Sequence, residues 1–335
     1  MKIAVDAMGG DHAPREIVRG SLDAACDLSG ISKIFLVGEE KSLRRELDEY
    51  GASSKKIEVR PASEVIAMDE MPAQAVRRKK DSSISRAVDM VKKGEADAVV
   101  SAGNTGAVVV AAKLKLRTLD GVDRPAIAAV MPTEDRPFIL VDAGANIDCD
   151  VRLLQQFAIM GNVYSRVLME QESPVVGLLS IGGEDTKGNE KTREAFRVLS
   201  DSSLNFRGNI EGHDLFRGGT DVVVCDGFVG NIVLKTSEST ARAIGHWMKQ
   251  EFRRNPLRIL GAGLLWGAVR AMKKRIDPET YGGALLLGVN GICIITHGAS
   301  SARAIYHAIR VARESVHHHL NQLIVENIAG MEGKE

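Results

Sequence analysis

Lys187 stands in the stretch LLSIGGEDTKGNE, residues 178–190, where an apolar run gives way to two glycines and then to a polar segment that reads as a helix start. Strand, glycine turn and helix start in that order expose backbone amides that attract anions. A flexible ammonium beside them can neutralise a phosphate or a developing oxyanion. Taken alone, the stretch fits a solvated lysine at a helix entrance equally well.

Five further turns share this chemistry. They are DAMGGDH, with Asp6, Gly9, Gly10, Asp11 and His12; SAGNTGA, with Ser101, Gly103, Asn104, Thr105 and Gly106; DAGANID, with Asp142 and Asn146; DGFVGNI, with Asp226, Gly227 and Asn231; and HGASSA, with His297 and Gly298. Ligands of open α/β sheets bind beyond the carboxyl ends of the strands, so these turns are expected on one edge, around a shared anionic ligand. SAGNTGA reads as the best phosphate cradle, through its glycine amides and the side chains of Asn104 and Thr105, and HGASSA as a similar one through Ser300 and Ser301. Tight-turn chemistry explains any one of them as well, and aspartates in such places more often cap or stabilise turns than bind metal.

Other chemistries find no support. No G-x-G-x-x-G follows the first strand, and neither a GxxxxGK[ST] loop nor a G-x-S-x-G elbow is present. His317, His318 and His319 are consecutive on a predicted helix and point in different directions, which reads as a solvated segment. Cys26, Cys149, Cys225 and Cys293 have no zinc spacing and read as free thiols of a reducing cytosol. Basic and acidic residues balance at 44 each, and aromatics make up 4% of the 335 residues, which disfavours nucleic-acid binding. The N-terminus enters a strand at once, and no apolar run spans a bilayer, so cytoplasm is the expected compartment.

The elements that must position these residues alternate between strand and helix. KIAVDAMGG, ISKIFLVG, KIEVRPASEVI, DAVVSAG, AIAAVMP, PFILVDAG, PVVGLLSIG, DVVVCDG and GICIITHG read as strands, continuous rather than alternating in hydrophobicity, as in a sheet covered on both faces. The class is α/β. With no linker to divide it, the chain reads as one domain over residues 1–330, with a projecting helical hairpin at about 236–280.

VDAMGGDHAP, AVRRKKDSS, SAGNTGA, VDAGAN, AIMGNVY, GGEDTKGNE, DGFVGNIVLK and YGGALLLGVNG followed by HGASS, in this order, resemble the bacterial phosphate acyltransferase (PlsX) family from residue 1 to about 325. The resemblance implies transfer of a fatty acyl group from acyl-acyl carrier protein to inorganic phosphate, giving acyl phosphate for glycerol-3-phosphate acylation in phospholipid synthesis. It also implies a three-layer α/β/α sandwich with a mostly parallel Rossmann-like sheet, similar to that of the isopropylmalate dehydrogenases and phosphotransacetylases, with no nicotinamide or other cofactor. A homodimer held peripherally at the inner face of the cell membrane is implied as well. By motif, Lys187 and Asn231 are the catalytic candidates, with SAGNTGA holding phosphate. A phosphotransacetylase-like enzyme using coenzyme A thioesters, or a non-catalytic membrane scaffold that binds acyl carrier protein, are the alternatives.

An acidic carrier protein needs a local basic surface on a neutral enzyme. Arg77, Arg78, Lys79 and Lys80 form one candidate, and Arg253, Arg254, Arg258, Lys273, Lys274 and Arg275 a second. Between the latter, NPLRILGAGLLWGAVRAMKKR concentrates Leu260, Leu264, Leu265 and Trp266. It reads as a hairpin tip turning at Gly261 and Gly263 that rests in the lipid interface, or as buried contact with a twin subunit or ordinary core.

Overall fold

A computed structural model describes residues 1–51, 54–276 and 278–332, the side chains of Lys274, Ile276, Pro278 and Glu332 excepted. In chain order the first half runs β1 (Lys2–Asp6), α1 (Arg15–Asp27), β2 (Lys33–Gly38), α2 (Glu40–Glu49), β3 (Ile57–Pro61), α3 (Pro72–Arg78), α4 (Ser83–Lys92), β4 (Ala98–Ser101), α5 (Thr105–Lys115), β5 (Ala126–Met131), β6 (Phe138–Val141) and α6 (Val151–Leu168). The second half runs β7 (Val175–Leu179), α7 (Glu190–Ser200), β8 (Asn205–Ile210), β9 (Val222–Val224), α8 (Gly227–Phe252), α9 (Pro256–Leu264), α10 (Trp266–Ile276), β10 (Ala284–Leu287), β11 (Ile292–Ile295), α11 (Ala302–His317) and α12 (Leu320–Glu332).

Among the described residues, eleven strands join one sheet in the order β3-β2-β1-β4-β11-β10-β5-β6-β9-β7-β8. Ile3, Ala4, Val5, Ile139, Leu140 and Val141 are fully buried on successive positions, as a sheet covered on both faces requires. One face packs on α1, α2, α6, α7, α11 and α12. The other packs on α3, α4, α5 and the start of α8, which makes a three-layer sandwich. Polar residues just ahead of the helices set their starts: Ser82, Asn104, Asp150, Asn189, Asp226 and Ser301 each accept a backbone N–H of the helix they precede, a cap worth about 1 kcal/mol.

Strand direction reverses within the sheet, which sequence reasoning did not foresee. Strands β3, β2, β1, β4 and β11 are parallel to one another, and β6, β9, β7 and β8 are parallel to one another. Antiparallel pairs join β11 to β10, β10 to β5 and β5 to β6, so the two parallel blocks run in opposite directions. The carboxyl ends of β1, β4 and β11 therefore open on one edge, called here the first, and those of β6, β9 and β7 on the opposite, second edge.

Two strands, β8 and β10, lie outside the expected set. Strand β8 carries Gly208 at φ 106° and a register shift against β7, which breaks its alternation. The short apolar run of β10 carries no periodicity that separates strand from helix. The three histidines close α11 instead of lying along it, with His319 at φ 52° linking to α12.

Helix α8 has 26 residues, roughly 39 Å at the α-helical rise. Its start packs on the sheet, while Ile244 and Trp247 farther along are exposed. Gly261 and Gly263 lie within α9, and the helix break falls at Leu265, so the expected turn at the glycines is corrected. Arg275 bonds the Glu134 carbonyl, where the chain returns to the sheet.

Candidate functional site

The second edge gathers three adjacent strand ends, from β6, β9 and β7. Asp142, at the exit of β6, is fully buried, and its carboxylate accepts hydrogen bonds from the backbone N–H groups of Ile127, Gly144, Ala145 and Asn146 and from the Asn146 side-chain amide, at 2.7–3.1 Å. Burial pushes this carboxyl above its ordinary range, against the pull of those donors. Asn146 Nδ2 also donates to the Pro125 carbonyl at 2.7 Å, and the Asn146 carbonyl accepts the Gly227 N–H at 2.7 Å. The structure thus gives Asp142 and Asn146 the task of building this turn, because the atoms that sequence reasoning assigned to substrate already hold the loop together.

The turn receives the start of α8. Asp226 caps that helix through the Val229 N–H at 2.8 Å. At Gly230 a Cβ would stand 1.9 Å from the Asp142 carbonyl oxygen, so only glycine admits this approach. One residue on, the half-buried Asn231 lies against Gly144, whose Cβ position would be 3.4 Å from the Asn231 Cβ. Among the described residues the Asn231 amide has no hydrogen-bond partner.

Lys187 lies on the turn that follows β7, the strand next to β9. Its stem passes over Gly182, where a Cβ would stand 2.7 Å from the Lys187 Cγ. Lys187 is exposed, and among the described residues its ammonium has neither an ion pair nor a hydrogen bond. Lys191, the second residue of α7, pairs with Asp148 of the β6 loop and ties the two loops together; that bond holds the Asp148 carboxyl below its usual range. The second edge therefore presents a free cation and a free amide from neighbouring strand ends, over a turn whose Gly182 and Gly183 N–H groups have no partner among the described residues.

The first edge gathers the other three turns, so the expectation that all of them share one edge is corrected. Asp6 is buried and accepts from Ser101 Oγ at 2.7 Å and from the Met8 N–H at 3.3 Å; burial raises its pKa. Ser101 Oγ in turn accepts the Gly103 N–H. A Cβ on Gly9 would stand 2.6 Å from the Gly103 nitrogen, and the Asp11 N–H donates to the Gly298 carbonyl at 2.7 Å, so the turns pack backbone to backbone. Gly10 faces Gly298, and Gly106 packs on Pro72 of α3.

The Asn104 amide donates to the Ala67, Met68 and Glu70 carbonyls, while its oxygen caps α5. Its atoms are occupied, which corrects its assignment as a phosphate donor. The HGASSA cradle is likewise filled. Glu16 accepts the Ala302 N–H at 2.8 Å, Glu279 accepts Ser301 Oγ at 2.6 Å, and carboxylates already stand where an anion would sit. His297 Nδ1 accepts the Ala299 N–H. Asp11, His12 and Thr105 are exposed on this edge, across the sheet from Lys187.

Neither basic cluster reaches the second edge within one chain. Arg77 and Arg78 end α3 beside the first edge, with Lys80 exposed next to them, and Lys79 is held by Glu70 at 2.5 Å. Arg253 and Arg254 stand at the far end of α8 with Arg258, Lys273 and Arg275 on the hairpin, and Lys274 lies outside the described side chains. Sequence reasoning missed Gly230, the Lys191–Asp148 link and the two glutamates, Glu16 and Glu279, that accept from the start of α11. Only Gly230 had a sequence signal, the glycine three residues into a capped helix start.

The fold is shared with solved structures of a known class. A phosphotransacetylase from Streptococcus pyogenes superposes with a TM-score of 0.61 at 20% identity, covering 94% of each chain. A branched-chain phosphotransacylase from Enterococcus faecalis V583 does so with a TM-score of 0.57 at 16% identity, over 95% of this chain and 100% of the other. The chain belongs to the fatty acid synthesis protein family, which matches residues 1–323. Its relatives include the phosphate acyltransferases of Pelotomaculum thermopropionicum, 51% identical over 100% of this chain and 97% of the relative, and of Desulforamulus reducens, 49% identical over 100% and 99%.

Proposed function

We propose that the protein is a phosphate acyltransferase that moves a fatty acyl group from the thioester of acyl-acyl carrier protein to inorganic phosphate, at the second edge. The observation that carries this is that Lys187 and Asn231, both without hydrogen-bond partners among the described residues, follow the adjacent strands β7 and β9 on one edge, with the Lys187 stem against Gly182. Phosphate is partly dianionic near neutrality and attacks a thioester carbonyl without a strong base. The site must hold it at the carbonyl and stabilise the tetrahedral oxyanion.

Lys187 supplies charge to phosphate and oxyanion, and the Asn231 amide donates a hydrogen bond. A phosphate oxygen forms the new bond to the acyl carbon, the C–S bond breaks, and the carrier thiolate leaves with the electron pair. Asp142, Asn146, Asp226 and Gly227 set the geometry without touching the reactants. Comparing acyl phosphate formation from palmitoyl-carrier protein and from palmitoyl-coenzyme A tests the donor. A strong preference for the carrier form supports the reading, and preference for coenzyme A supports a phosphotransacetylase-like enzyme.

The product is a labile, lipid-like anhydride, which favours work at the membrane and prompt transfer to a glycerol-3-phosphate acyltransferase. In the hairpin Leu257, Leu260, Leu264 and Trp266 are 64–83% exposed, and basic residues flank them, a fit to an anionic lipid interface. No described helix is long and apolar enough to cross a membrane. Replacing Leu264, Leu265 and Trp266 by serine is expected to abolish sedimentation with anionic liposomes and leave the thermal melt unchanged; unaltered sedimentation would remove the hairpin from lipid contact. Arg253 and Arg254 are offered to the acidic carrier protein. Exposed Phe228, Ile232, Ile244 and Trp247 along α8 support a homodimer.

A further inference from the structure

The turn that carries Lys187 is held by a side chain from the neighbouring edge strand. Asn209, next to last in β8, donates from Nδ2 to the Glu184 carbonyl at 2.8 Å. The same carbonyl accepts the Lys187 N–H at 3.1 Å, so one oxygen joins the anchor to the lysine. Where the turn leaves the sheet, the Ser180 N–H donates to the Ile210 carbonyl at 2.9 Å. At the other end Gly188, at φ 96°, reverses the chain toward α7. Between these points the turn is exposed except at Gly182, and among the described residues Asn209 gives it the sole side-chain hydrogen bond from another strand.

The other half of the Asn209 amide makes this informative. Its Oδ1 is buried and has no hydrogen-bond partner among the described residues. An unpaired buried carbonyl oxygen costs stability, so an apolar side chain of the same shape would serve β8 alone at least as well. The donor serves the turn.

We propose that Asn209 is a positioning residue that fixes Lys187 over the reacting centre by holding the Glu184 carbonyl; this rests on the reading of Lys187 as the catalytic cation. Because the lysine reaches the site on a long flexible stem, its effective placement depends on where the turn puts its Cα. Displacement by about 1 Å can cost on the order of a hundredfold in rate.

The test uses Asn209→Leu in the wild-type and Lys187→Ala backgrounds, with Asn209→Asp, which keeps the shape and removes the donor, as the second variant should leucine prevent folding. Hydrogen exchange of the 181–188 amides is followed together with kcat and the phosphate KM. The expected result is faster exchange in this turn, a fall in kcat of on the order of a hundredfold with the thermal melt retained, and no further fall in the Lys187→Ala background. Unchanged exchange, unchanged turnover beside an impaired Lys187→Ala protein, or an equal fall in both backgrounds would each overturn the inference while leaving the role of Lys187 intact. Full activity of Lys187→Ala itself would remove that role, and the inference with it.

Discussion

Lys187→Ala is expected to lower acyl phosphate turnover by roughly 100- to 1,000-fold, the scale on which loss of one oxyanion-stabilising group acts, with no change in the melting temperature. The two halves of this result come from one fact: Lys187 is exposed and has no ion pair or hydrogen bond among the described residues, so the fold does not lean on its ammonium. Lys187→Arg keeps the charge but replaces a compact ammonium with a planar fork, and is expected to recover only part of the rate. Hydroxamate assay beside a thermal melt checks both variants. Wild-type turnover in the alanine protein would take Lys187 out of the chemistry.

Gly230→Ala is expected to damage stability and turnover together. The added Cβ would stand 1.9 Å from the Asp142 carbonyl oxygen and 3.0 Å from Cys225 Sγ, both part of the buried exit of β6 and β9. The oxygen is backbone and the Sγ ends a short buried side chain, so the start of α8 must move away, at a cost of roughly 1–3 kcal/mol by the usual scale of overpacking. Asn231 moves with it, away from Gly144. Gly245→Ala, on the same helix where nothing stands within 4 Å of the new methyl, is the control. It is expected to leave turnover unchanged and to stabilise the helix by up to about 1 kcal/mol. Urea titration and the hydroxamate assay on both proteins would show it, and equal behaviour of the two variants would contradict the close-approach argument.

Much of this was legible in the sequence. Apolar runs ending in Asp, Ser or Gly marked the strand exits, and Asn189, Asp226 and Ser301 cap helices where polar residues before apolar periodicity predict caps. The direction of the strands was not legible. No local pattern announces that β10 and β5 run antiparallel to their neighbours, yet those pairings decide which turns face the same side. A glycine turn that binds an anion and one that packs on another glycine turn have the same residues. Only the partners tell them apart, as with Glu16 and Glu279 on the HGASSA helix start, which come from segments 286 and 22 residues away. Asn209 was hidden for the same reason, since its role lies in a carbonyl on the adjacent strand's turn.

The most direct test of the central claim mixes the purified protein with palmitoyl-acyl carrier protein and inorganic phosphate and traps the product with hydroxylamine, with a phosphate-free reaction alongside. Palmitoyl hydroxamate that forms only when phosphate is present, with free carrier protein released in equal amount, is the predicted result. Carrier protein bound without hydroxamate in either reaction would contradict it and leave a binding protein in place of an enzyme.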